Sequence, residues 1–174
     1  MQNILSRVRN PALRYGILVG VILGIVLIAI GFLNLSSLGA IVPLLLTIAA
    51  GFLAGRQASQ QTGRTITGAL SGVWTGLIGS FIPFVLIMIL VLVNINSVTN
   101  NINQSTHSHY TNSDIIVNYL LSYGLFIVVG VLFALAGGVI GGTMGRSRWR
   151  QNQPPPQEYE EAMFEPPQPK TPAE

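Results

Sequence analysis

The chain contains no cysteine. That excludes disulfides, thiolate metal sites and a cysteine nucleophile. Charge is scarce as well: Asp, Glu, Lys and Arg make up 9% of 174 residues, a share that an ordinary soluble domain of this size does not show. Between Tyr15 and Gly145 the only charged residues are Arg56, Arg64 and Asp114. There is no phosphate-cradling glycine loop, no HExxH, no nucleophile elbow and no pair of carboxylates at the membrane face. An enzyme is therefore not expected, and no cofactor is implied.

What is present is apolar length. Mean hydropathy is +0.55, and four apolar stretches separate at about 15–33, 38–55, 66–93 and 115–145. Each reaches or approaches the ~20 residues that cross a bilayer core as helix. The pattern predicts an all-α membrane protein, a four-transmembrane-helix bundle. The first stretch is longer than the ~7–15 residues of a signal-peptide core and no small-x-small cleavage site follows it, so it reads as an uncleaved anchor. None of the four stretches carries an acidic or basic residue, which argues against a proton-coupled multidrug carrier, since such a carrier needs a carboxylate within the membrane.

Basic residues mark the cytoplasmic side of short loops. Arg7, Arg9 and Arg14 precede the first span; Arg56 and Arg64 fall between the second and third; Arg146, Arg148, Arg150 and Lys170 follow the fourth. A chain that crosses four times puts all three groups on one side. The expected segments are a basic N-terminus (1–14), a transmembrane domain (15–145) with an outer loop (94–114), and a tail (146–174). The expected location is the plasma membrane with both termini cytoplasmic, and Arg146, Arg148, Trp149 and Arg150 mark its interface. The net charge of +3 fits orientation and contact with anionic headgroups. It does not indicate nucleic-acid binding, because no basic patch is interleaved with exposed aromatics.

Every span carries small residues four apart: Gly16, Gly20 and Gly24; Thr47, Gly51 and Gly55; Gly68, Gly72, Gly76 and Ser80; Gly130, Ala134, Gly138 and Gly142. Lipid tails are as apolar as leucine, so membrane helices associate through close backbone approach, which small residues permit. A second row, Gly137, Gly141 and Gly145, widens the small face of the last span. The segments AAGFLAG (49–55) and AGGVIGG (136–142) match. They read either as two tandem helical hairpins or as independent selection for tight packing. Pro83 falls inside the third span, where it removes a backbone hydrogen bond and is expected to kink the helix.

The outer loop is rich in Asn, Ser and Thr and has few apolar residues, so a mobile loop or a short cap is expected. His107 and His109 form an HxH pair, but metal binding needs three or four converging ligands. They are weak metal candidates, and two solvated histidines are the plainer reading. The tail holds seven of the ten prolines and five of the six acidic residues, a composition that predicts disorder with polyproline character. Within it, Glu158–Phe164 is a candidate docking segment for a cytoplasmic partner.

In outline the chain resembles the small, uncharacterised four-helix integral membrane proteins of bacteria and archaea, with glycine-striped helices, short loops and a polar tail. The resemblance covers Tyr15 to Arg150 and implies no activity and no functional residue. The expected partners are the lipid bilayer and, through the glycine faces, a membrane protein or further copies of the chain. The expected role is a non-enzymatic scaffold or accessory subunit; an oligomeric channel or small permease is the alternative. A reporter fused after Glu174 is expected to read cytoplasmic, and a periplasmic or extracellular signal would overturn the topology.

Overall fold

The computed structural model describes residues 10–32, 41–107 and 109–152. Arg7, Arg9, the Asn34–Ser37 turn and the tail from Gln153, with Lys170 and Glu158–Phe164, lie outside the described residues. In lipid a spanning segment must satisfy its own backbone polar groups, as a helix does. Five helices make up almost all of the described chain: α1 (Pro11–Phe32), α2 (Ile41–Thr62), α3 (Thr65–Val93), α4 (Ile95–Thr106) and α5 (Asn112–Gln151). Four of them, α1, α2, α3 and α5, are long and apolar enough to cross a membrane, and no strand occurs among the described residues.

The helix ends follow local chemistry. Asn10 caps α1, its Oδ1 accepting from the Ala12 N–H at 3.1 Å, and Pro11 takes the first helical position, where its missing N–H costs nothing. Helix α2 stops at Gly63, which has φ +67° and donates its N–H to the Ser59 carbonyl at 2.8 Å. This is the left-handed helix stop that glycine adopts without strain. At the start of α5, Thr111 and Asp114 form a reciprocal capping box, with the Asp114 carboxylate accepting from the Thr111 N–H at 2.9 Å. Helix α3 runs unbroken through Pro83, which is buried.

Packing is uneven in a way that defines the molecule. Helix α5 packs against both α2 and α3, and α1 packs chiefly on α3, while α1 and α5 have no substantial contact. Gly51 faces Ala134 and Gly55 faces Gly138, so α2 and α5 run in the same direction. Gly16, Gly20 and Gly24 face Trp74, Ile78 and Ile82, so α1 and α3 are parallel too. Between α3 and α5 the order reverses: Gly68 meets Gly142 and Gly76 meets Val131. These registers gather Arg14, Arg56, Arg64, Arg146, Arg148 and Arg150 at one end of the bundle, the arginine end. Helix α4 occupies the other, the asparagine end.

At the arginine end the helices touch backbone to backbone. A Cβ on Gly55 would lie 2.7 Å from Gly138 Cα, one on Gly68 2.7 Å from Gly142 Cα, and one on Gly141 2.9 Å from the Arg56 N. Along α3 the facing residues then grow, from Gly68, Gly72 and Gly76 to Ser80 and Phe84. Along α5 the small residues Gly142, Gly138, Ala134 and Gly130 give way to Phe126 and Tyr123. Aromatic rings take over at the asparagine half: Phe84 and Tyr123 centroids are 6.3 Å apart, and Tyr119 stacks on Tyr123 at 6.1 Å. In that half side chains, rather than main chain, make the contacts between α3 and α5.

Beyond the start of α1 at Pro11 rather than about 15, three further differences from the sequence expectation stand out. Helix α2 continues seven residues past Gly55 to Thr62, so Arg56 is helical rather than in a loop. Helix α5 continues to Gln151 and spans 40 residues, about 60 Å at ~1.5 Å per residue against a ~30 Å bilayer core. In both cases polar residues end the apolar stretch without ending the helix. The third difference is α4, which fills more than half of the expected outer loop.

Substituting Gly138 by Leu is expected to destabilise the bundle by roughly 1–3 kcal/mol, the range for overpacking, because a Cβ there meets Gly68 O at 2.7 Å and Gly72 Cα at 2.9 Å. Gly124, where a Cβ meets nothing within 4 Å, is the control. Thermal unfolding in detergent should show a lowered Tm for Gly138→Leu and an unchanged one for Gly124→Ala; a wild-type Tm for Gly138→Leu would contradict the close approach.

Candidate functional site

A cleft of about 460 Å³ lies in the asparagine half. Its walls come from all four long helices: Leu27, Ile30 and Gly31 of α1, Pro43 of α2, Ser80, Pro83 and Ile87 of α3, and Ser122, Tyr123 and Phe126 of α5. A second hollow of about 330 Å³ shares Leu27, Gly31, Pro83, Ile87 and Tyr123 with it and reaches Leu90. Gly31 contributes open space, since a Cβ there would meet nothing within 4 Å. Pro83 offers the Gly79 carbonyl no N–H, as any proline within a helix must.

Polar groups in this wall are few and neutral. Ser122 donates to Asn118 Oδ1 at 3.3 Å. Ser80 is 2% exposed and lines the cleft, yet its hydroxyl has no hydrogen-bond partner among the described residues. Deeper in the seam the buried Ser71 Oγ has no partner, while Thr75 donates to the Ser71 carbonyl at 2.8 Å. A buried hydroxyl left unpaired carries a desolvation penalty of about 1–3 kcal/mol. Such groups are uncommon enough in native proteins that each calls for a cause.

At the asparagine end, α4 lies on the bundle through an ordered polar network. Thr99, buried, donates to Asn112 Oδ1 at 2.8 Å, and Asn112 Nδ2 donates to Asn96 Oδ1 at 3.0 Å. Asn103 clasps the Tyr110 backbone in both directions, accepting from its N–H at 2.7 Å and donating to its carbonyl at 3.0 Å. His107 closes α4 in the left-handed conformation, with φ 51°. His107 and His109 are both exposed and border a polar hollow of about 400 Å³ with Asn100, Asn103 and Gln104. Among the described residues no group of three or more His, Cys, Asp or Glu is placed to hold a metal. The sequence reading missed Thr99, Asn103 and Asn112. The available signal was the three- and four-residue spacing of Ile95, Val98 and Ile102, one face of a short helix.

The arginine end is locked by the Trp149 ring, which lies against Gly63 so closely that a Cβ there would be 2.7 Å from Cδ2. Gln61 Nε2 donates to the Tyr15 hydroxyl at 2.6 Å, tying α2 to α1. Arg146 and Arg150 border a hollow of about 290 Å³ with Thr65, Thr143 and Ser147. The only acidic side chain described is Asp114, at the opposite end, so these arginines have no acidic partner among the described residues. The remaining residues singled out in the sequence, Gly16, Gly20, Gly24, Gly51, Gly55, Gly68, Gly72, Gly76, Gly130, Ala134, Gly138 and Gly142, are all buried in contacts between helices. No family model matches the chain, and neither a curated protein nor a solved structure matches it.

Replacing Asn112 by Ala removes the partner of both Thr99 and Asn96. Amide hydrogen exchange across Ile95–Thr106 is expected to speed up by about tenfold or more, for a loss of roughly 1.5 kcal/mol in two hydrogen bonds. Unchanged protection of that segment would show that the network does not hold α4.

Proposed function

We propose that the chain is a non-enzymatic multi-pass protein of the plasma membrane that acts as a scaffold or accessory subunit, with both termini cytoplasmic. The observation that carries this reading is a rigid, backbone-packed core surrounded by large exposed apolar side chains, among them Ile22 and Ile25 of α1 and Leu121, Leu125 and Leu132 of α5. Such a surface suits lipid and membrane-protein neighbours, and no titratable pair lies within it to perform chemistry. Collection of the arginines at one end supports placing that end in the cytoplasm.

The small-residue stripes are read as a glycine zipper of GxxxG type. The segments at 49–55 and 136–142 pack against each other in the same direction, as the second helices of two tandem hairpins would. Glu158–Phe164, with its acidic and aromatic residues, is the segment offered to a cytoplasmic partner, and the surrounding proline-rich tail would act as a disordered tether. The second reading, an oligomeric channel or small permease, draws on the cleft, whose hydroxyl-bearing wall would face a path if several copies assembled.

Native purification in mild detergent, followed by reconstitution into liposomes, tests both. The scaffold reading expects a defined membrane-protein partner or a fixed number of copies, without solute flux. Reproducible ion or solute flux would move the assignment to the channel. A lone monomer that conducts nothing would contradict both.

A further inference from the structure

The cleft, its lack of charge and the Ser80 hydroxyl determine what it can hold. Ser80 sits at the middle of α3 and, at 2% exposure, forms the deep end of the cleft. From there to Leu90 is about 15 Å along α3 at ~1.5 Å per residue. The lining contains no Asp, Glu, Lys, Arg or His, so a charged group would lie unpaired at membrane depth. The occupant must be neutral. A volume of about 460 Å³ falls within the ~300–1,000 Å³ of small-molecule sites. Three turns of a partner helix, ~10–12 Å across, would fill on the order of 1,500 Å³.

A water at Ser80 would find further polar partners in this lining only at the Ser122 and Tyr123 hydroxyls, of the ~2–4 that a buried water needs, and it would leave the apolar walls unfilled. A hydrocarbon tail would fill the space and leave the hydroxyl unpaired. A carbonyl oxygen would accept from it and bring an apolar body to the walls of Leu27, Pro83, Ile87 and Phe126. We propose that the cleft is a binding site for an uncharged, lipid-like molecule carrying a carbonyl group, which Ser80 holds by a hydrogen bond at the bilayer midplane. Gly130 is part of the site's construction: a Cβ there would lie 2.5 Å from Ser80 Oγ, so glycine leaves the hydroxyl its place. The inference rests on the membrane placement of the bundle and not on the scaffold or channel role.

The test is photolabelling of the full chain in nanodiscs with two probes, a long-chain ketone bearing a diazirine and the alkyl diazirine of equal length without the ketone. The ketone is expected to label peptides around Leu27–Gly31, Ser80–Ile87 and Ser122–Phe126 more than the alkyl probe does. Ser80→Ala should lower ketone labelling at limiting probe about tenfold, one charge-neutral hydrogen bond, to the level of the alkyl probe. Because the hydroxyl has no partner, that variant should keep its Tm. Gly31→Phe, which fills the cleft from a position with free space, should abolish labelling by both probes. Equal labelling of the wild type by the two probes, insensitivity of the ketone to Ser80→Ala, or labelling that survives Gly31→Phe would each overturn the proposal. Labelling reads neither partner nor flux, so the proposed function and this site can fail separately.

Discussion

Contact between helix backbones at the arginine end is the constraint on which the rest of the structure depends. Glycines 51, 55, 68, 72, 137, 138, 141 and 142 bring α2, α3 and α5 so close that a single added carbon would have to displace main chain. In a bilayer this is where association energy is available, because exchanging a leucine side chain for a lipid tail gains little. Many short dispersion contacts across such a seam sum to a large term. They also fix register, since a shift of α5 by one residue would set the isobutyl and isopropyl side chains of Leu135 and Val139 against the α2 backbone.

The cleft follows from the same seam. Helices α3 and α5 meet through main chain at one end and through side chains such as Phe84 and Tyr123 at the other. With no substantial contact between α1 and α5, a gap lies between four walls, and the packing glycine Gly130 borders its lining at Ser80. The glycines that join α2 to α5 lie outside that lining, so an occupant would not displace them. Trp149 on Gly63 and Gln61 on Tyr15 fasten the far end of the seam, while the Thr99–Asn112–Asn96 network fastens α4 over the asparagine end.

Much of this was legible in the sequence, and what was not has a physical reason. The four spans are visible because bilayer thickness imposes length and apolarity together, and the four-residue spacing of small residues identified the faces that become buried. Helix ends were misplaced at Gly55 and Gly145 because charge marks where the membrane stops, whereas a helix stops where its backbone is capped; Gly63, not Arg56, ends α2. Helix α4 was hidden by composition: its apolar residues are few, but Ile95, Val98 and Ile102 stand at helical spacing. The cleft could not be read at all, because it is produced by how size grades along two facing helices and by which pairs of helices fail to touch.

The central claim is that main chain, not side chain, forms the closest contact between α2 and α5. A double-mutant cycle of Gly51→Ala and Ala134→Gly measures it by thermal unfolding in detergent. A Cβ on Gly51 would face the Ala134 carbonyl oxygen, with Cα at 2.8 Å and C at 2.9 Å, so removing the Ala134 methyl frees no space. The account predicts that Gly51→Ala lowers Tm and that Ala134→Gly does not restore it. Full restoration in the double variant, or a Gly51→Ala protein as stable as the wild type, would contradict it.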